Sequence, residues 1–249
     1  MGAGVAKKLS GKPAAKRTAK RRGSGGRSGA LVKITRNPEA SRANILQAAR
    51  TEFVSNGLSG ARVDRIAERS GVNKNLIYHY FNSKEELYLA VLEGIYANLR
   101  ERQQDRHLRG LLPIEGIRRL VEITFDHFVV TPDLIRLMSV ENIHFGKYLR
   151  RSQSVKPLYR DLLETLEILL RRGQDEGCFR AEVDAVDLYL SISGLAYFFL
   201  SNQHTLSWLL DRDLTGRKRV QKRRQHVVDM VLSYLTSQPQ SAFHSESMI

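Results

Sequence analysis

Asn73, Lys74 and Asn75 follow directly on a glycine turn, and Tyr78 and His79 come one helical turn later. At the first turn of a short helix, such side chains reach base edges or phosphates in the major groove of DNA. The Asn75 amide can pair with adenine, and the Lys74 ammonium can reach a guanine or a phosphate. Tyr78 suits contact with a thymine methyl group, and His79 suits a phosphate hydrogen bond. Two further cations flank the cluster: Arg62 at the start of the preceding helix and Lys84 at the head of the following one. Both are placed for phosphate contacts, Lys84 together with nearby backbone N–H groups.

These side chains need two short crossed helices, and the stretch ARVDRIAERSGVNKNLIYHYFNSKEEL supplies the layout. Ile66 and Ala67 fall on the inner face of a helix over about 62–70, and the small Ala67 permits a close crossing. Gly71 can adopt the left-handed conformation that ends a helix. Val72 plugs the turn, Asn73 is an N-cap for a helix over about 74–80, and Ile77 reaches back into the shared core. Tyr80 and Phe81 read as packing against an earlier helix. The spacing is that of a helix-turn-helix.

Helical periodicity continues from Asn37 to the end of the chain, without the alternation of a strand. Asn37-Pro38-Glu39 starts a helix with Ile45, Ala48, Ala49 and Phe53 on one face, closed at Asn56-Gly57. Ser83 to Glu86 forms a capping box, with Glu86 reaching back, that launches a long helix to about Arg109 bearing Leu87, Val91, Ile95 and Leu99. Further helices fit residues 113–130, from Pro132 to about Phe145, 155–176, 184–202 and about 216–236. The expected fold is all-α, with nine helices. Its parts are a basic tail at 1–36, a DNA-binding unit at 37–82, a helical regulatory and dimerisation unit at 83–237, and a C-terminal tail at 238–249.

The net charge of +14 is unevenly placed, because residues 1–36 hold eleven Lys or Arg and no acid, leaving +3 for the remainder. That tail is rich in Gly, Ser and Ala, and reads as disordered. It fits either a basic arm along DNA or a solubilising extension. No apolar h-region marks a secretory signal. No uninterrupted apolar run is longer than that from Leu195 to Leu200, which falls well short of a membrane span. The single cysteine, Cys178, excludes an intrachain disulfide and fits a reducing cytoplasm. It has no adjacent His or cation cluster to activate it.

The stretch from about 40 to 90, and IAERSGVNKNLIYHYFNSKEELY within it, resembles the TetR family of bacterial transcriptional regulators. Ile66-Ala67 and Gly71-Val72 match the core of that pattern, Ile77 to Phe81 the aromatic end of the recognition helix, and Lys84 to Leu87 the start of the fourth helix. Arg62 departs from the Thr that many members carry. The segment LMSVENIHFGKYLRRS is similar to the pyrimidine- and nicotinate-responsive branch. The resemblance implies a repressor that grips a palindromic operator in double-stranded DNA as a homodimer and leaves it on binding a small organic effector. It implies a cavity between about 87 and 180, for which His127, Arg136, Asn142, His144 and Tyr148 are the candidate contacts, with Tyr197 from the eighth helix. It also implies a dimer contact through the last two helices, where Leu190, Gly194, Tyr197, Val227, Val231 and Leu235 are the candidates.

Two other readings stay open: an enzyme using the helical cavity, and an architectural DNA-binding protein using the basic tail. Against the enzyme, no Ser/His/Asp order, phosphate loop or metal spacing is present, so no catalytic residue or cofactor is assigned. His127, Glu141 and His144 lack the i, i+4 spacing of a helical zinc site, and no metal is expected.

Overall fold

The computed structural model describes residues 37–103 and 108–237, with the side chains of residues 99–103 left out. The basic tail at 1–36, the C-terminal tail at 238–249 and the side chain of Leu99 lie outside the described residues. Within them are nine α-helices and two 3-10 turns, with no strand.

The N-terminal helices form where local capping and burial agree. Helix α1 spans Pro38–Gly60, with the Asn37 side chain accepting from Glu39 N and Pro38 in the first turn. Gly57, at φ 62°, breaks its geometry near the expected end. Helix α2 (Val63–Ser70) ends at Gly71 in the left-handed region (φ 67°, ψ 23°), where the Gly71 and Val72 N–H groups return to the last carbonyls. Helix α3 (Lys74–Phe81) starts under an Asn73 cap, its Oδ1 accepting from Leu76 N at 2.8 Å. Ile45, Ala49 and Phe53 of α1, Ile66 of α2 and Ile77 of α3 are buried together, which holds the helix-turn-helix against the first helix.

Helix α4 spans Lys84–Gln103. The Ser83 hydroxyl caps it by accepting from Glu86 N at 3.0 Å. The Glu86 carboxylate does not return to the cap as expected. It pairs instead with Arg151, whose guanidinium offers a full charge in place of a backbone dipole. Residues 104–107, just before the expected end near Arg109, lie outside the described residues. Leu108–Gly110 is a 3-10 turn, anchored where Leu108 is buried and Arg109 donates to Thr165 Oγ1 and Asp161 Oδ1, each at 3.0 Å.

The rest of the chain wraps around α5 (Pro113–Val130), whose Ile117, Leu120, Val121 and Phe125 are fully or almost fully buried. It packs against α6 (Pro132–Ile143), α7 (Val155–Asp175), α8 (Ala185–Leu209) and α9 (Arg217–Thr236). Helix α8 runs seven residues beyond the expected Asn202. The polar stretch from Ser201 to Thr205 disguises the continuation, and Leu206 and the buried Leu214 pin it to the core. Arg224 fastens α9 to α5, with Nε and Nη2 donating to Asp126 at 2.7 and 2.9 Å and Nη1 to Glu122 at 3.1 Å. No described helix is long and apolar enough to cross a membrane.

Candidate DNA interface and regulatory cluster

Helix α3 divides cleanly by side. Ile77 and Phe81 point into the core, while Asn73, Lys74, Asn75, Tyr78 and His79 form an exposed face. Asn73 spends its carbonyl oxygen on the cap and keeps its amide donors for an outside partner. Lys74 is tethered to Asp64 of α2, Nζ to Oδ1 at 3.0 Å, and the hydrogen bond and charge of Asp64 raise the ammonium above its ordinary value. Tyr80 donates to Pro38 O at 3.2 Å, and Phe81 lies under the Arg42 guanidinium, so both pack against α1. Arg62 is exposed at the N-cap of α2. Lys84 is half-buried, and its Nζ donates to Ala61 O at 3.3 Å, tying the start of α4 to the loop between α1 and α2.

Beneath this face lies a group that the periodicity did not reveal. Glu52 of α1 is fully buried, and its Oε1 accepts from the Arg62 N–H at 3.1 Å and from Arg65 Nε at 2.7 Å. Its Oε2 accepts from Arg69 at 3.3 Å. Burial by itself would raise this carboxyl. The hydrogen bonds from Arg65 and the Arg62 N–H, with the charges of Arg65 and Arg69, outweigh burial and hold it below its ordinary value. One buried carboxylate on α1 thereby fixes the start and the flank of α2. The signal in the sequence was an acid inside an apolar stripe, three residues after Ala49 and one before Phe53.

The candidate effector contacts fall into two clusters and two outliers. His127 of α5 is buried beside Phe128, whose ring meets Tyr197 of α8 edge-on at 6.0 Å. The Tyr197 hydroxyl and the Ser139 hydroxyl of α6 share a hydrogen bond of 2.9 Å. In the second cluster His144 meets Tyr148 at 6.3 Å, and Tyr148 meets Tyr88 of α4 at 5.4 Å. Tyr88 in turn contacts Phe53 of α1 edge-on at 5.1 Å. Burial, and then the Glu141 charge beside it, push the Tyr88 phenol well above its usual value. Glu141 is buried, with Oε2 accepting from Leu149 N at 3.0 Å. Arg136 and Asn142 are exposed and join neither cluster. Arg136 lines a cleft with Pro132 and His204, and the Asn142 amide donates to Met138 O.

The last two helices present an apolar surface, though not through all the expected residues. Leu190 is 60% exposed and Gly194 is open, with Val186 on the same side. Val227, Val231 and Leu235 turn inward and are buried within their own chain. Their neighbours Met230 and Tyr234 carry the outer face of α9. The periodicity marked the apolar stripe of α9 correctly, but that stripe is consumed by the contact with α5. The Cys178 thiol is pushed up by burial and then by Glu176, which disfavours the reactive thiolate.

Comparison with known proteins agrees with this architecture. The family model for bacterial regulatory proteins of the tetR family matches residues 45–91, and that for the tetracyclin repressor-like C-terminal domain matches residues 113–231. The chain is 35% identical over 180 residues to the HTH-type transcriptional repressor NicS of Pseudomonas putida, spanning 72% of this chain and 85% of that one. It is 29% identical over 161 residues to the HTH-type transcriptional repressor SCO4008 of Streptomyces coelicolor, spanning 65% and 79%. The crystal structure of the transcriptional regulator SCO4942, also from Streptomyces coelicolor, matches with a TM-score of 0.61 at 30% identity, over 78% of this chain and 98% of that one. With a helix-turn-helix that exposes its reading face and a helical domain that matches along with it, the chain belongs to the TetR family of DNA-binding bacterial transcriptional regulators.

Proposed function

We propose that the protein is a homodimeric repressor that acts in the bacterial cytoplasm and is released from a palindromic operator by a small organic effector. The exposed α3 face carries the reading, because Asn75, Tyr78 and His79 stand clear on a helix whose opposite side is locked into the core. One such module reads only a few base pairs, and a twofold partner supplies the second half-site. The open strip at Val186, Leu190, Gly194, Met230 and Tyr234 supports that partner being a second copy.

Effector control is supported by two links between the DNA-binding helices and the helical domain. Arg50 of α1 pairs with Asp133 of α6 at 2.8 Å, and Phe53, Tyr88 and Tyr148 form a ladder of rings from α1 through α4. The aromatic and polar groups at His127, Tyr197, His144 and Tyr148 suit a small heterocycle or aromatic acid. A ligand favouring one arrangement of α4 and α6 shifts α1 with them, and the spacing of the two α3 helices no longer fits the operator. Operator binding measured with and without fractionated cell metabolites tests this reading. Release by a metabolite fraction supports it, and affinity unmoved by every fraction counts against effector control.

A further inference from the structure

The far half of α8 and the first two turns of α9 frame a cavity of about 440 Å³. Phe199, Leu206 and Leu210 form apolar walls, and Arg212, Arg219 and Arg223 complete the lining. No acid lines it, and none of the three arginines makes an ion pair with a described residue. Asp213, close in sequence, spends its carboxylate on Thr215 and the Gly216 N–H.

Arg223 shows the imbalance most clearly. It donates to Leu195 O at 3.2 Å and lies 5.7 Å from the centre of the Phe199 ring, yet its buried Nε has no partner. Burial, and then the charge of Arg219, pull it below its usual value. Around it α9 opens with RKRVQKRR and has no acid in its first turn. Cations at the positive end of a helix dipole repel it, whereas an anion there is attracted. Three forked donors beside an apolar wall match an oxyanion joined to an apolar body.

We propose that this cavity binds a small amphipathic oxyanion, with its carboxylate or phosphate head on Arg212, Arg219 and Arg223 and its apolar body on Phe199, Leu206 and Leu210. The site is separate from the clusters around His127 and Tyr148. It lies at the opposite end of the α8–α9 pair from Leu190 and Tyr234, which line a different cavity.

The full-length protein is titrated with sodium octanoate, octan-1-ol and inorganic phosphate, followed by isothermal titration calorimetry. Octanoate is expected to saturate below about 1 mM and to bind about tenfold more tightly than octanol or phosphate. Arg223→Gln, and separately the pair Arg212→Gln and Arg219→Gln, should each weaken octanoate about fivefold or more while circular dichroism is unchanged. If Arg223→Gln fails to fold, the double variant decides the matter. Octanol binding as tightly as octanoate, phosphate binding as tightly as octanoate, no saturation, or affinity unmoved by the substitutions would each overturn the proposal.

Discussion

Arg65 of α2 donates from Nε to the fully buried Glu52 of α1 at 2.7 Å, and this pair joins the first helix to the helix-turn-helix. Removing the carboxylate strands the Arg62 N–H as well as Arg65. Glu52→Ala is therefore expected to cost about 2 kcal/mol, less than a fully buried pair because Arg65 is itself partly exposed. Because the folded carboxyl sits below its usual value of 4.5, its contribution is complete above that pH and fades as pH falls through the folded value. Denaturation of wild type and Glu52→Gln should differ most near neutral pH and converge in acid. A constant gap across the acid range would count against this role.

Arg50 and Asp133 make a direct ion pair between α1 and α6, and both side chains are about one-third exposed. Such a pair contributes less than about 1 kcal/mol to stability. Asp133→Asn should leave the melting temperature nearly unchanged and shift operator affinity about twofold to fivefold, as a link between two domains rather than a structural prop. Fluorescence anisotropy with labelled operator checks the second part, and a thermal melt the first.

On the reading face, Asn75→Ala should lower discrimination at one operator base pair by about 1–3 kcal/mol and leave the others alone. Lys84→Ala should weaken binding to every sequence and reduce the salt slope by about one. Since Lys84 also clamps the Ala61 carbonyl, it should lower stability slightly too. Asp64→Asn releases Lys74 from its tether and should tighten binding to all DNA. Affinities measured over a salt series separate these three outcomes.

The two faces of the last helices predict opposite phenotypes. Leu190→Glu places a charge on the exposed strip of α8 and should yield folded monomers in sedimentation. Leu235 is buried in its own chain, so Leu235→Ala should cost about 3 kcal/mol of stability and leave the assembly of the remaining folded protein intact.

The DNA-binding half was legible because its determinants are local. Asn37, Asn73 and Ser83 cap within three residues, and Gly71 turns the chain where it stands. The regulatory half was less so, because its pairings join distant positions that periodicity cannot register. Ser139 meets Tyr197, and Arg224 meets Asp126, across spans of 58 and 98 residues. On α9 the apolar stripe gave the helix but not the partner of that face. Glu52 reads as a flaw in an amphipathic pattern until the Arg62 N–H and Arg65 come round to it.

Footprinting of the purified protein on genomic DNA, wild type beside Asn75→Ala, tests most directly whether α3 reads a palindrome. The expected result is protection of two inverted half-sites about one helical turn apart, with preference relaxed at the same position of each half-site in the variant. Protection without sequence preference, or a footprint that Asn75→Ala leaves unaltered, would contradict it.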